Sequence, residues 1–194
     1  MKKSLHRCRW AEQNDRQRQY HDTEWGRPLH DDRALFELLI LEGMQAGLSW
    51  DSVLAKREHF RRAFDGFVPA IVAQYDDQKR QTLLLNPNII RNRLKIAASV
   101  TNAQAFLRVQ QEFGSFDRYL WGFVDGVPLV HSIDAPEDVP ASTPLSQHIS
   151  ADLKRRGFRF VGPVIVYAYM QSAGLVNDHE NNCFCKQREN TPGS

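Results

Sequence analysis

The segment "DDRALFELLILEG", Asp31 to Gly43, constrains the fold more than any other part of the chain. Read at 3.6 residues per turn it is apolar on nearly every side, and such a helix has no face to offer water. Other elements must enclose it. Asp31 or Asp32 is placed to cap its start and Gly43 to stop it.

What surrounds that segment also has helical spacing. "SWDSVLAKREHFRRAF" starts on Ser49 as a cap and sets Trp50, Val53, Leu54, Arg57, Phe60 and Phe64 along one side. "NRLKIAASVTNAQAFLRVQQEFG" continues through Ile96, Val100, Ala103 and Phe106 or Leu107 to Gly114, and "SFDRYLWGF" predicts another short helix. From Val124 to Pro144 the chain is rich in Pro and turn formers, and reads as an exposed connection within one domain. "PLSQHISADLKRRGFRFVGPVIVYAYMQSAGLVNDH" then predicts helix, tight turn, helix over roughly 145–174, closing at Gly157, with Gly162 ending the turn and Pro163 opening the second helix. Alternating strand patterns are nearly absent, so the expected class is all-α. A chain of 194 residues suits a single domain with a substantial core.

No apolar run approaches the roughly 18 residues of a membrane span, and "MKKSLHRCRWAEQ" lacks the apolar segment of a secretory signal, so a cytoplasmic protein is expected. The net charge of +2 does not by itself identify a nucleic-acid binder, although Lys and Arg cluster at 56–62, 91–95 and 153–159. Each cluster taken alone is equally a solvated helix face.

Three groups of residues carry possible chemistry. The three cysteines are too few and odd in number for a disulfide framework. His179 and Cys183, with three residues between them, can converge on one ion, and Cys8 with His21 completes a Cys2His2 set with no open position for a catalytic water. The alternative is incidental thiols and surface histidines, and spacing leaves both open. Trp10, Tyr20, Trp25 and Trp50 crowd the first 50 residues, with Glu42 at the end of the apolar helix. Together they could hold a flat cationic ligand, or be a core cluster beside an exposed carboxylate. Finally, the turn between the last two helices, with Arg155, Arg156 and Arg159 beside it, is either a phosphate cradle or an ordinary corner.

In sequence order, "RCRW", "YHDTEWG", "LEGMQAGLSW", "IIRNRLKI", "KRRGFRFVG" and "GLVNDH" span essentially the whole chain, and it resembles the 3-methyladenine DNA glycosylase I family. That family is the small zinc-containing branch of the helix-hairpin-helix glycosylases. The resemblance implies one structural zinc on Cys8, His21, His179 and Cys183, with Cys185 a bystander. It implies flipping of a nucleotide from alkylated double-stranded DNA and hydrolytic release of 3-methyladenine, leaving an abasic site with no lyase step.

Glu42 is then the catalytic carboxylate, selecting a cationic purine. Tyr20 shares the hydrogen bonding to its edge, Trp50 stacks on it, and Trp10 and Trp25 complete the pocket wall. Leu48 fills the gap in the duplex, while Arg159, Phe160 and Gly162 meet the DNA backbone. Phe160 stands where many hairpins of the superfamily have glycine, and Asp178 is expected to be structural. The implied protein is a monomer in a bacterial-type cytoplasm, associated with the nucleoid through DNA. A non-catalytic DNA-binding module is the alternative that keeps the same clip and hairpin.

Overall fold

A computed structural model of the chain describes residues 5–189, and for 187–189 the backbone alone. Eleven α-helices occur among the described residues: α1 Asp15–Thr23, α2 Asp32–Gln45, α3 Trp50–Leu54, α4 Arg57–Ala63, α5 Pro69–Val72, α6 Asp77–Leu85, α7 Arg93–Phe113, α8 Phe116–Trp121, α9 Pro144–Arg155, α10 Pro163–Ser172 and α11 Phe184–Glu189. None is long and apolar enough to cross a membrane. The all-α expectation holds, with one small exception. Leu129–Val130 (β1) and Val176–Asn177 (β2) form a two-residue parallel pair, Leu129 beside Val176.

α2 is the enclosed helix that its composition demands. Leu35, Phe36, Leu39, Leu41 and Met44 are buried in one continuous core with Phe106 from α7, Phe116 from α8, and Tyr169 and Met170 from α10. Asp31 caps it, its carboxylate accepting from the Ala34 N–H at 2.8 Å. Gly43 does not stop it. The helix runs to Gln45, and Gly43 instead lets the turn after α9 come close, a Cβ built there meeting Phe160 Cβ at 3.5 Å.

The single helix expected from Ser49 to Phe64 is two. Ser49 caps α3 as expected, but the chain turns at Ala55 and Lys56 before α4 begins. The break lets Val53 and Phe60 both reach the core while Arg57 pairs with Glu24 and Glu37. Tertiary demands of that kind leave no mark on local periodicity. α7 agrees with expectation and ends at Gly114, which takes φ 87°. α8, α9 and α10 also lie where expected.

Two segments differ more. Before α2 the chain is ordered: Arg9–Gln13 forms a short 3-10 helix and α1 follows, capped by Asn14 accepting from the Gln17 N–H. The connection from Val124 to Pro144 is not simply exposed. Beyond β1, Ile133 is buried and Val139 packs on the core.

Candidate functional site

The two ends of the described chain meet. Cys8, His21, His179 and Cys183 are buried, and one ligand atom from each lies within 4.8 Å of the others. Cys8 Sγ is 3.4 Å from His179 Nδ1, Cys183 Sγ is 3.4 Å from His21 Nε2 and 3.6 Å from His179 Nδ1. The outer ring nitrogens are occupied. His21 Nδ1 faces Asp22 Oδ1 at 2.9 Å and His179 Nε2 faces the Trp25 carbonyl at 3.2 Å, so each imidazole donates outward and its other nitrogen faces the cluster. Cys185 is outside this set of four but borders it, its sulfur 3.9 Å from His21 Nδ1, and it forms a second group with His21 and Asp22.

Gly26 sits against this cluster for a geometric reason. It takes φ +76°, and a Cβ there would lie 2.7 Å from His179 Nε2. Gly26→Ala is therefore expected to combine left-handed strain with a displaced imidazole, costing at least about 2 kcal/mol in chemical denaturation. A stability unchanged from wild type would contradict that packing.

Next to the cluster lies a cavity of about 270 Å³, lined by Trp10, Tyr20, Trp25, Glu42 and Trp50, all expected, together with Gln45, Ile133, Val139, Gln171, Ser172, Asp178 and others. Trp10 and Trp25 meet edge to face at 5.0 Å and stand between the two features, Trp25 also packing on His179 at 4.7 Å. Tyr20 and Trp50 are tilted, with centroids 5.5 Å apart.

A relay of hydroxyls ends on Glu42. Tyr20 donates to Ser172 Oγ at 3.0 Å, and Ser172 donates to Glu42 Oε1 at 2.7 Å. Glu42 is buried, and its Oε2 has no hydrogen-bond partner among the described residues; nor has the Trp50 indole nitrogen. Burial pushes the Glu42 carboxyl from 4.5 up to about 8, against the opposing pull of the Ser172 hydroxyl. Burial with the nearby Glu42 likewise raises the Tyr20 hydroxyl far above its ordinary value, keeping it a neutral donor. The pocket can therefore accept a flat group carrying both a positive charge and hydrogen-bond donors.

Asp178 is engaged on both oxygens, Oδ1 by His131 at 2.6 Å and Oδ2 by Tyr167 at 2.5 Å and Gln171 at 2.7 Å. Both oxygens are thus tied to neighbouring side chains at the edge of the cavity. Ser172 and Gln171 went unnoticed in the sequence because nothing marks a polar pair at the end of an apolar helix as facing a cavity. Ile133 and Val139 were hidden inside a segment read as connection.

The remaining expected residues lie away from the cavity. Leu48 is 47% exposed in the turn after α2, beside Gly47 at φ +80°. Phe160, exposed in the turn between α9 and α10, keeps a left-handed φ of 55° although it is not glycine. Gly162 caps α10 at φ −64°, a conformation that needs no glycine. The Arg159 side chain is exposed and has no ion pair among the described residues, whereas Arg155 and Arg156 pair with Asp152, and Arg156 with Glu112 as well.

A family model described as methyladenine glycosylase matches residues 10–186. The chain is 44% identical over 181 residues to the DNA-3-methyladenine glycosylase 1 of Escherichia coli (strain K12), covering 93% of this chain and 97% of that one. A crystal structure of a 3-methyladenine DNA glycosylase I aligns with TM-score 0.90 at 47% identity, covering 93% of this chain and 99% of the other. A structure addressing 3-methyladenine recognition by the Staphylococcus aureus enzyme aligns with TM-score 0.90 at 38% identity over 94% and 97% of the two chains.

Proposed function

The chain belongs to the methyladenine glycosylase family and is an enzyme of the DNA-3-methyladenine glycosylase class, and we propose that it flips the alkylated nucleotide from duplex DNA and releases 3-methyladenine by hydrolysis alone. Methylation at N3 makes the base a cation while it is attached to the sugar. The glycosidic bond breaks with its electron pair passing to the base, which leaves neutral. Water then adds to the sugar carbon and loses a proton, giving the abasic site. The base needs no protonation to leave, so selection and exposure are the enzyme's principal tasks.

The observation that carries the reading is the free Oε2 of Glu42 in an aromatic cavity. Trp50 stacks on the purine, Tyr20 and Glu42 hydrogen-bond its edge, and Trp10 and Trp25 close the wall. The anionic form of Glu42 favours a cationic base over unmodified adenine or guanine. Leu48 enters the stack where the base has left, and Arg159, Phe160, Gly162 and the start of α10 form the hairpin that meets the DNA backbone. Among the described residues no lysine lines the cavity, which supports a reaction without a lyase step.

Cys8, His21, His179 and Cys183 hold one zinc ion in this reading. Bond lengths of about 2.3 Å to sulfur and about 2.05 Å to nitrogen give tetrahedral S···N edges of about 3.6 Å, and the three contacts measure 3.4, 3.4 and 3.6 Å. Four protein ligands make the ion a cross-link with no position for water. The enzyme acts as a monomer in the cytoplasm, on nucleoid DNA. The test is chromatography of bases freed from methylated duplex DNA, with borohydride added to trap any Schiff base. Free 3-methyladenine with no trapped covalent adduct is expected. A folded protein that frees none, or that traps on DNA, overturns the proposal.

A further inference from the structure

α7 carries Lys95, Ser99 and Asn102 at helical spacing, all three buried. The Lys95 ammonium donates to the Met44 carbonyl at 2.9 Å and to the Ala46 carbonyl at 2.6 Å. No carboxylate among the described residues lies within ion-pair distance of it. A buried ammonium held only by backbone carbonyls is costly, and burial lowers its pKa accordingly. Its position gives it a use. The end of a helix leaves carbonyls unsatisfied and carries partial negative charge, and the next residues after Ala46 are Gly47 and Leu48.

Seven residues further along α7, about 10 Å at the usual helical rise, Asn102 holds the other DNA-facing element. Its side chain accepts from the Arg159 N–H at 2.7 Å and donates to the Arg159 carbonyl at 3.0 Å. One uninterrupted helix therefore grips both the Leu48 turn and the hairpin.

We propose that Lys95 is a positioning residue for base flipping: it pins the Leu48 turn at a set distance from the Arg159–Phe160 hairpin, so that the wedge enters the stack opposite the gripped backbone. The inference rests on the proposed role of Leu48. Lys95 does not line the base cavity, so its effect passes through the turn.

A double-mutant cycle separates this from ordinary support of the fold. Lys95→Met keeps the aliphatic stem and removes the donors. Single-turnover excision from duplex DNA should fall about 10- to 100-fold, while affinity for free 3-methyladenine, followed by tryptophan fluorescence, stays unchanged. In a Leu48→Ala background the same change should cost nothing further. If Leu48→Ala leaves duplex excision intact, the wedge reading fails and this proposal with it. If Leu48→Ala impairs excision but Lys95→Met does not, or if the two losses simply add, Lys95 has no positioning role. Should Lys95→Met fail to fold, Lys95→Leu, which likewise has no donor, goes through the same cycle under the same criteria.

Discussion

Cys183→Ala should lower the stability of the protein by more than about 4 kcal/mol, the largest loss expected of any single change discussed here. Three consequences coincide. The proposed zinc loses a ligand, Cys8, His21 and His179 remain buried with one donor missing, and the segment from Asn177 to α11 loses one of its ties to the N-terminal segment. Treating the wild type with a strong chelator should bring its guanidinium midpoint towards that of the variant. The folded fraction of the variant should still excise 3-methyladenine, because an ion held by four protein ligands would have no open position through which to act. A variant that loses zinc yet unfolds within about 1 kcal/mol of wild type would remove the structural-metal reading.

The clip and the pocket are nonetheless physically continuous. Cys8, Trp10, Trp25 and Glu180 all line the cavity, and the Arg9 N–H donates to the Glu180 carboxylate at 2.7 Å across the junction. His6 and Phe184 join the ends once more through a backbone hydrogen bond of 2.9 Å. The aromatic residues ahead of α2 are thus ordered from behind by the Cys/His cluster and from the side by Tyr20 and Ser172. Loss of the clip should loosen the tryptophan wall before it reaches α2, whose burial is independent of the chain ends.

How far the sequence could be read follows from where each signal resides. α2 and α7 were legible because burial of many successive turns forces a period or an unbroken apolar run. α9 and α10 were legible from Gly157, Gly162 and Pro163. The split between α3 and α4 was not, because it answers to Val53, Phe60 and the Glu24–Arg57–Glu37 pairing, two of whose members lie on other elements. At the site, cysteine, histidine and tryptophan announce themselves by rarity. Ser172, Lys95 and Asn102 do not. Their roles arise from contacts with residues 130, 49 to 51 and 57 positions away, which only the folded chain brings together.

Glu42→Gln is expected to act in the opposite sense from Cys183→Ala, sparing the fold and weakening selection. Burial holds the wild-type carboxyl at about 8 rather than 4.5, a difference on the order of 5 kcal/mol between its two protonation states. Because the folded-state value is raised, the stability associated with the protonated acid is intact below about pH 4.5 and is lost as pH rises through about 8. Glutamine cannot ionise, so the variant should lack this decline and become the more stable protein at pH 9. Catalysis should move the other way. A cationic base draws the carboxylate form, so wild-type kcat/KM should climb with pH and level off above about 8. In the variant that titration should disappear, and kcat/KM should fall about 10- to 100-fold, mainly through KM, as expected for loss of a charged hydrogen-bond partner. Melting curves and single-turnover rates across pH 5 to 9, a window of about two units on either side of neutrality, test both halves. Unchanged kcat/KM, or a stability loss matching that of Cys183→Ala, would show that Glu42 supports the fold and does not read the base.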